Sequence, residues 1–266
     1  MKLFIDSADI EEIKEAYSYG IIDGITTNPS LIKKAVDKYG KIKIKDYIKK
    51  ILKIAKNTPV SLEVLSANYK AMVQEANTLY KAFNPVAKNV VIKIPVDPSF
   101  GHNDNHFDGV KAIRTLARKK VPVNATLIFT PEQALLAAKA GARYVSPFLG
   151  RFDDFIRAMY KMKFKKEDYF PMHGHKAGWN YNGVYSGVDL VAQIVQILEN
   201  YDTEVLAASI RNVRQLRECA LVKADVATVP FKVIKEMVVH KKTEEGMINF
   251  TKDIVVEYAE MLRRKR

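Results

Sequence analysis

The chain alternates eight short apolar runs with eight longer amphipathic segments, and this alternation constrains its fold more than any other feature. The apolar runs have the length of β-strands, and the segments between them have the apolar spacing of α-helices. We predict strands at residues 3–5, 24–27, 60–64, 90–94, 123–128, 144–148, 204–209 and 226–229. We predict helices at residues 9–19, 47–55, 69–83, 110–119, 131–139, 188–199, 213–222 and 231–239. Strand–helix units in this number, with short gaps after the strands, indicate an α/β protein whose parallel sheet closes into a (β/α)8 TIM barrel.

An open, doubly wound sheet is the alternative architecture. It would place a glycine-rich phosphate turn after the first strand, where this chain has Asp6-Ser7-Ala8-Asp9. The length of 266 residues and the hydrophobic share of 48% suit one domain with one large core. We therefore predict a single barrel domain over residues 1–266, followed within the same domain by an additional C-terminal helix at about 244–262.

The net charge limits the classes of partner that the protein can have, and the cysteine content indicates its cellular compartment. A net charge of +13 favours anionic partners, which are phosphorylated metabolites or nucleic acid. Much of this charge lies in helix-like surface stretches without a known nucleic-acid-binding motif, so a basic nucleic-acid-binding barrel is the less favoured class. Cys219 is the only cysteine, which excludes an intramolecular disulfide and suits a reducing compartment. We expect neither a signal peptide nor a membrane helix, and therefore a cytoplasmic protein.

Lys93 interrupts the fourth apolar run, Val90-Val91-Ile92-Lys93-Ile94-Pro95. Strands covered by helices on both faces normally read as unbroken Val/Ile runs. Burying an ammonium without a partner costs several kcal/mol, whereas a neutral buried amine is a nucleophile that condenses with a ketone or an aldehyde. The alternative is an edge-strand lysine whose stem lies on apolar surface while its amino group reaches water.

Polar residues close seven of the eight predicted strands. In a barrel, the C-terminal ends of the strands meet at one mouth, where the active site lies. Several of these residues have a simpler interpretation as helix caps, since Asp6 or Ser7, Asn28 and Ser209 each precede a predicted helix or a proline. Together they place an amine, carboxylates, amides and hydroxyls at one mouth, which caps alone do not require. The residues are Asp6, Asn28, Glu63, Lys93, Asn124 with Thr126, Ser146, and Ser209 with Arg211.

These residues lie in motifs that resemble the transaldolase family, and more narrowly its short subfamily, which also contains fructose-6-phosphate aldolase. The resemblance covers nearly the whole chain in order, apart from two insertions and the tail. Its motifs are Asp6, Gly24-Ile25-Thr26-Thr27-Asn28-Pro29-Ser30, Val90-Val91-Ile92-Lys93-Ile94-Pro95, Asn124-Ala125-Thr126-Leu127-Ile128-Phe129, Tyr144-Val145-Ser146-Pro147-Phe148-Leu149-Gly150-Arg151 and Ala207-Ala208-Ser209-Ile210-Arg211.

The resemblance implies a class I mechanism that needs no metal and no cofactor. Lys93 would hold the dihydroxyacetone unit of a ketose as a Schiff base, which acts as an electron sink when the carbon–carbon bond breaks. Asp6 would be the general acid/base at the substrate hydroxyl. Glu63 and Thr126 would position the water that relays protons while the Schiff base forms.

The resemblance also assigns the binding residues and the pathway. Asn28, Asn124 and Ser146 would hold the hydroxyls of the three-carbon unit. Arg151, Ser209 and Arg211 would bind the sugar phosphate, and the alternative for each arginine is a surface ion pair. The donor would be fructose 6-phosphate or sedoheptulose 7-phosphate and the acceptor an aldose phosphate, as in the pentose phosphate pathway.

Two positions distinguish a transaldolase from an aldolase that releases free dihydroxyacetone. By resemblance, transaldolases carry glutamate and phenylalanine where this chain has Glu63 and Phe148, and the aldolases tend to carry glutamine and tyrosine. A tyrosine hydroxyl could help to protonate the enamine, which phenylalanine cannot do. We therefore expect a transaldolase, with fructose-6-phosphate aldolase as the alternative. A catalytically inactive scaffold is disfavoured because the expected residue types fill the catalytic positions.

Two segments are longer than the family pattern, at about residues 97–107 and 155–185. Both follow strand ends, so we expect them near the mouth. Their histidines, His102, His106, His173 and His175, leave a metal site as an alternative, although class I chemistry needs none. The second segment is expected to be a lid or a subunit contact, and as a lid it would add the basic run 161–166 to the acceptor side. By resemblance, the protein would be a homo-oligomer, a pentamer or a decamer, whose C-terminal helix reaches a neighbour.

Overall fold

A computed structural model describes residues 1–40, 43–100 and 104–263 of the chain. Within these residues, eight parallel strands form a closed barrel in chain order, which confirms the predicted (β/α)8 fold. The observed strand ends lie within two residues of the predicted ends. The strands are β1 (Lys2–Asp6), β2 (Gly24–Thr26), β3 (Val60–Glu63), β4 (Val90–Pro95), β5 (Val123–Ile128), β6 (Tyr144–Pro147), β7 (Glu204–Ala207) and β8 (Val226–Val229).

The helices cover the outside of the barrel, and two of them were not predicted. These are α2 and α7, and α2 gives little apolar periodicity because it fully buries only Ala35. The helices are α1 (Ile10–Ser18), α2 (Pro29–Tyr39), α3 (Ile44–Ile54), α4 (Tyr69–Ala87), α5 (Asp108–Arg118), α6 (Pro131–Ala140), α7 (Leu149–Met159), α8 (Gly187–Ile197), α9 (Val213–Leu221), α10 (Phe231–Glu236), α11 (Lys241–Lys252) and α12 (Val256–Arg263). Within the described residues, no helix has the length and apolar character needed to cross a membrane.

The interior of the barrel is filled by an apolar layer beneath the polar mouth. Phe4, Val91, Tyr144, Leu206 and Val226 form one buried cluster with Ala208. The period of two along a strand therefore places Lys93 above Val91, on the same inner face. A Cβ atom at position 24 would lie 2.6 Å from the Phe4 ring, so only glycine lets that ring fill the space beside β2.

Strand register brings the predicted site residues side by side. In the parallel pairing of β3 with β4, Glu63 lies opposite Lys93. In the pairing of β4 with β5, Lys93 lies opposite Asn124. Residues far apart in the sequence therefore occupy one layer of the barrel because of backbone pairing alone.

The predicted C-terminal helix at about 244–262 is in fact two helices, α11 and α12. The chain leaves the helical conformation at Asp253, and the β-branched residues Ile254 and Val255 follow before α12 begins. Aspartate and β-branched side chains have low helix propensity, which explains the break. Helix α11 buries no residue against the barrel. The basic tail Arg264-Lys265-Arg266 lies outside the described residues.

Candidate active site

A pocket of about 480 Å³ opens at the C-terminal mouth of the barrel. This position matches the location of active sites in TIM-barrel enzymes. Most of the predicted site residues line it, and the other three, Glu63, Asn124 and Thr126, are not among its lining residues. The predicted residues in its wall are Asp6, Asn28, Lys93, Ser146, Phe148, Arg151, Ser209 and Arg211.

Lys93 lies at the floor of this pocket and is 4% exposed. Its strand β4 is paired on both sides, which excludes the edge-strand alternative. The amine is not without a partner, however, because Lys93 Nζ lies 3.1 Å from Glu63 Oε2 and donates to the carbonyl oxygen of Thr27 at 3.3 Å. A carboxylate beside a buried ammonium compensates its charge and can also take its proton.

Asp6 enters the pocket from the end of β1. Burial raises the pKa of Asp6 above its ordinary value, and the hydrogen bond from Thr26 and the charge of Lys93 only partly oppose this shift. Thr26 Oγ1 donates to Asp6 Oδ1 at 2.6 Å and lies 2.5 Å from Thr228 Oγ1. Asp6 is therefore a carboxyl group whose orientation is fixed by its neighbours and which holds its proton more tightly than usual.

Sequence reasoning missed Thr26 and Thr228. Threonine is a good strand former, so within an apolar run it reads as a structural residue. The available signal was the position of Thr26 near the C-terminal end of the predicted strand 24–27, because strand ends meet at the mouth. Thr228 supplies the polar residue that the eighth strand seemed to lack, and both threonines line the pocket.

Asn124 and Ser146 form a buried polar pair beside Lys93. Ser146 Oγ donates to Asn124 Oδ1 at 2.7 Å, and Asn124 Nδ2 donates to Ser61 Oγ at 3.4 Å. Ser61 is a further residue that the sequence did not single out, although it lies two positions before Glu63. These bonds orient the amide, and Ser146 also faces the pocket.

Thr126 lies next to this pair and is completely buried. Its hydroxyl has no hydrogen-bond partner among the residues that the structure describes. Leaving a buried hydroxyl unpaired costs about 1–3 kcal/mol, so the position favours a bound water.

Asn28 is a helix cap that also lies in the wall of the pocket. Its Oδ1 accepts from the backbone N–H of Leu31 at 3.0 Å and so caps α2, while the residue also lines the pocket. The cap alternative is wrong for Ser209, because Asn212 caps α9 by accepting from the N–H of Gln215 at 2.9 Å. Neither Asp6 nor Ser7 is the N-cap of α1, which is Asp9.

Arg211 is held in an ion pair rather than free. Its Nη1 donates to Asp154 Oδ1 at 2.5 Å and to the carbonyl oxygen of Lys166 at 2.9 Å, and its Nη2 donates to Asp154 Oδ2. The predicted fork for a phosphate is thus occupied by a carboxylate. The remaining donor, Nε, is buried and has no partner among the described residues.

Ser209 and Arg151 complete the phosphate-binding prediction. Ser209 has a left-handed backbone with φ of 66°, and it lies against the first turn of α7. A Cβ atom at Gly150 would lie 2.3 Å from the Ser209 carbonyl oxygen, so glycine is required for this approach. The guanidinium of Arg151 lies 5.1 Å from the centre of the Phe148 ring, and both residues line the pocket.

The second long segment is shorter than predicted, because Phe155–Met159 belong to α7. The remaining connection, residues 160–186, carries a parallel stack of Tyr160 on Trp179 at 4.3 Å. It also supplies Lys166 and Glu167 to the wall of the pocket.

In the first long segment, His106 Nδ1 lies 3.0 Å from Asp97 Oδ2, and His102 lies outside the described residues. Among the described residues, no group of three His, Cys, Asp or Glu side chains could hold a metal ion.

Comparisons with known proteins give one consistent family. The family described as Transaldolase/Fructose-6-phosphate aldolase matches residues 3–265. A probable transaldolase from Caldicellulosiruptor saccharolyticus is 43% identical over 256 residues, covering 95% of this chain and 96% of that protein. Another from Thermoplasma acidophilum is 42% identical over 258 residues and 95% of each chain. A crystal structure of 3-hexulose-6-phosphate synthase shares the fold, with a TM-score of 0.50 at 14% identity over 86% of this chain and 90% of that one.

Because the pKa of Asp6 is raised, we predict that the ionised carboxylate lowers the stability of the folded state. Because the folded state binds this proton more tightly than the unfolded state, ionised Asp6 lowers stability once the pH exceeds 3.8, the ordinary value. Asp6→Asn should therefore raise the thermal unfolding midpoint at pH 7, and the difference should shrink as the pH falls toward 4.

Asp9 provides a control of opposite sign. Burial alone would raise the pKa of Asp9, but hydrogen bonds from Lys38, Tyr39 and two helix N–H groups lower it overall. Ionised Asp9 therefore stabilises the fold, and this contribution is lost as the pH falls through its lowered pKa. Asp9→Asn should lower the midpoint at pH 7. A lower midpoint for Asp6→Asn as well would contradict the first prediction.

Proposed function

The chain belongs to the transaldolase and fructose-6-phosphate aldolase family, and within it we propose that the protein is a class I transaldolase. It transfers a dihydroxyacetone unit from fructose 6-phosphate or sedoheptulose 7-phosphate to an aldose phosphate, as in the pentose phosphate pathway. The observation that carries this proposal is the buried amine of Lys93 at the floor of the pocket, 3.1 Å from the Glu63 carboxylate. Sugar phosphates of this kind are cytoplasmic metabolites, which favours a cytoplasmic enzyme.

Formation of the Schiff base begins when Glu63 takes a proton from the Lys93 ammonium. The neutral amine then attacks the ketone carbon and forms a carbinolamine, which loses water to give an iminium. The buried Thr126 hydroxyl has no partner among the described residues, so it is suited to hold the water that moves protons between Glu63 and the carbinolamine. Glu63 is close enough to Lys93 to serve in both proton transfers.

Cleavage requires a base at the other end of the three-carbon unit. Asp6 removes the proton of the hydroxyl on the carbon that becomes the aldehyde, and the electrons of the breaking bond flow into the iminium to leave an enamine. A carboxylate with a raised pKa is a better base for a hydroxyl than an ordinary one. The hydrogen bond from Thr26 Oγ1 fixes the orientation of the Asp6 carboxylate. The enamine then attacks the acceptor aldehyde, and hydrolysis of the new iminium frees Lys93.

The polar residues around the floor suit the hydroxyls of the bound unit. Asn124 and Ser146 are already oriented by their own hydrogen bond, and Asn28 keeps its amide nitrogen for a ligand while its oxygen caps α2. Preorganised donors of this kind bind without the entropy cost of ordering side chains.

The phosphate group of the substrate fits the wall formed by Arg151, Ser209 and Arg211. The start of α7 lies in this wall and has no side-chain cap. The N–H of Leu149 donates to the Ala208 carbonyl oxygen at 3.0 Å, so the N–H groups of Gly150 and Arg151 are the ones suited to an anion. Arg211 contributes its buried Nε and not its fork, because Asp154 occupies the two terminal nitrogens. The proposal thus keeps Arg211 as a phosphate ligand but through a single donor.

Retention of the enamine for an acceptor depends on a dry, proton-poor environment. The Phe148 ring lies 5.9 Å from Lys93 Nζ and contacts Phe129 at a ring distance of 6.0 Å. An apolar ring at this place offers no proton to the enamine, which favours transfer over release of free dihydroxyacetone.

We also infer that the protein is a homo-oligomer. Helices α11 and α12 present apolar side chains that are mostly exposed, among them Met247, Phe250, Val256 and Leu262. An exposed apolar surface of this kind marks a contact site, and the family resemblance assigns it to a neighbouring copy of the chain.

Lys93 provides the first test of the mechanism. Borohydride reduction with fructose 6-phosphate should add a three-carbon unit to Lys93, detected by peptide mass spectrometry. Lys93→Ala should abolish the label and lower turnover by about 10⁴-fold or more. Lys232 is the matched control, since it also lines the mouth but is 79% exposed and pairs with Glu236. A label on Lys232 in place of Lys93 would refute the mechanism.

Phe148 provides a test of transfer against release. Phe148→Tyr should raise the rate of free dihydroxyacetone formation roughly tenfold or more, because a phenol near the enamine supplies a proton. Phe129→Tyr is the matched control, as it adds the same hydroxyl to the neighbouring ring. Abundant free dihydroxyacetone from the unmodified enzyme would instead indicate fructose-6-phosphate aldolase.

The C-terminal helices provide a test of assembly. Removal of residues 241–266 should reduce the number of copies in the assembly, so that light scattering gives a smaller multiple of the mass of the shortened chain, which is below the 30.2 kDa of the full chain. Phe250→Ser should weaken assembly, whereas Lys252→Ser on the same helix should not. An unmodified protein that is already monomeric would rule out the oligomer.

A further inference from the structure

The connection between α7 and α8, residues 160–186, is built onto the loop proposed to bind phosphate. Arg211 Nη1 donates to the Lys166 carbonyl oxygen at 2.9 Å, and Asn212 Nδ2 donates to the Glu167 carbonyl oxygen at 3.4 Å. The two donors lie two and three residues after Ser209 in the sequence. The backbone of residues 166 and 167 is therefore fixed relative to the phosphate end of the pocket, which both residues line.

The segment around these two residues has its own internal support. Arg157 is 1% exposed, donates to the Asp168 carbonyl oxygen at 2.6 Å, and lies 4.8 Å and 5.0 Å from the ring centres of Phe164 and Phe170. A turn closes through the N–H of Asp168 and the carbonyl of Lys165 at 3.0 Å. Residues 164–170 thus form an ordered wall that could position a ligand.

The cations around the pocket differ in their pairing. Asp154 compensates the charge of Arg211, and Lys232 faces Glu236 at 3.8 Å. Lys166, by contrast, has no carboxylate within ion-pair distance among the described residues, and the same is true of Arg151 and Lys34, which also line the pocket. Glu167 beside Lys166 carries a negative charge into the same wall. Because Asp154 neutralises the arginine fork, a dianionic phosphate at this end gains little net attraction from Arg211.

We propose that Lys166 is a specificity-determining ligand, which the 160–186 connection adds to the site for the phosphate group at the aldose end of the substrate. The proposal rests on the transaldolase function above and identifies a residue that selects phosphorylated over unphosphorylated aldoses. Arg211 has a second task in this arrangement, since it ties the connection in place through the Lys166 carbonyl. The negative charge of Glu167 repels the phosphate and so weakens the net attraction that Lys166 provides.

The test compares erythrose 4-phosphate with erythrose as acceptor, at saturating fructose 6-phosphate. Lys166→Gln should lower kcat/KM for the phosphorylated acceptor about fivefold to tenfold and leave the unphosphorylated acceptor unchanged. Glu167→Gln should change the same ratio in the opposite direction. Lys163→Gln is the matched control, because it removes the same charge from the same basic run at a residue that does not line the pocket. The dependence of KM on ionic strength should also be weaker in Lys166→Gln than in Lys163→Gln.

The outcomes separate this proposal from the function on which it rests. If Lys166→Gln and Lys163→Gln lower the phosphorylated-to-unphosphorylated ratio equally, Lys166 is not a ligand, while the transaldolase assignment stands. If the unmodified enzyme shows neither transfer nor a labelled Lys93, both proposals fail. An equal loss with both acceptors in Lys166→Gln would indicate a structural role and would also overturn the proposal.

Discussion

The ion pair between Lys93 and Glu63 is the interaction on which the site depends, and the closed barrel makes it possible. Parallel register places the two residues opposite each other on adjacent strands, at a depth where Lys93 is 4% exposed. Burying two charges costs several kcal/mol before their attraction is counted, so the pair does not stabilise the fold by itself. The apolar layer below it, built on Phe4 and Tyr144, and the helices outside must supply that stability.

Helix α7 organises the other side of the mouth through two successive aspartates. Asp153 accepts from the N–H of Gly187 at 2.7 Å and from Gln215 at 2.9 Å, and burial raises its pKa to about 7. Asp154 takes the fork of Arg211. Adjacent residues on one helix thereby fix the start of α8 and the loop after β7. The end of the pocket that is proposed to bind phosphate is held by these side-chain contacts, and the floor is held by strand register.

The limits of sequence reasoning follow from the range of the interactions. Strand positions were predictable because an apolar run is a local signal, and a lysine inside such a run is a local contradiction that indicates function. The partner of Arg211 was not predictable, since Asp154 is separated from it by 57 residues and no pattern links the two. Thr26 was missed because its residue type suits a strand equally well in a structural role. The sequence pattern places Phe155–Met159 in the second long segment. In the structure, the helix that begins at Leu149 continues through these five residues.

Residues on the strands of this pocket tolerate less substitution than residues on the 160–186 connection. Lys93, Glu63 and Asp6 are fixed by strand register and, in the proposed mechanism, by the geometry of proton transfer, so a shift of one residue would turn each side chain away from the mouth. Lys166 and Glu167 lie on a connection whose length is not set by the barrel, and they are attached through backbone carbonyls that any residue would provide. Their side chains can therefore vary without loss of the attachment. The proposed chemistry therefore lies on the strands, and the proposed selection of the substrate's charged end lies on the connection.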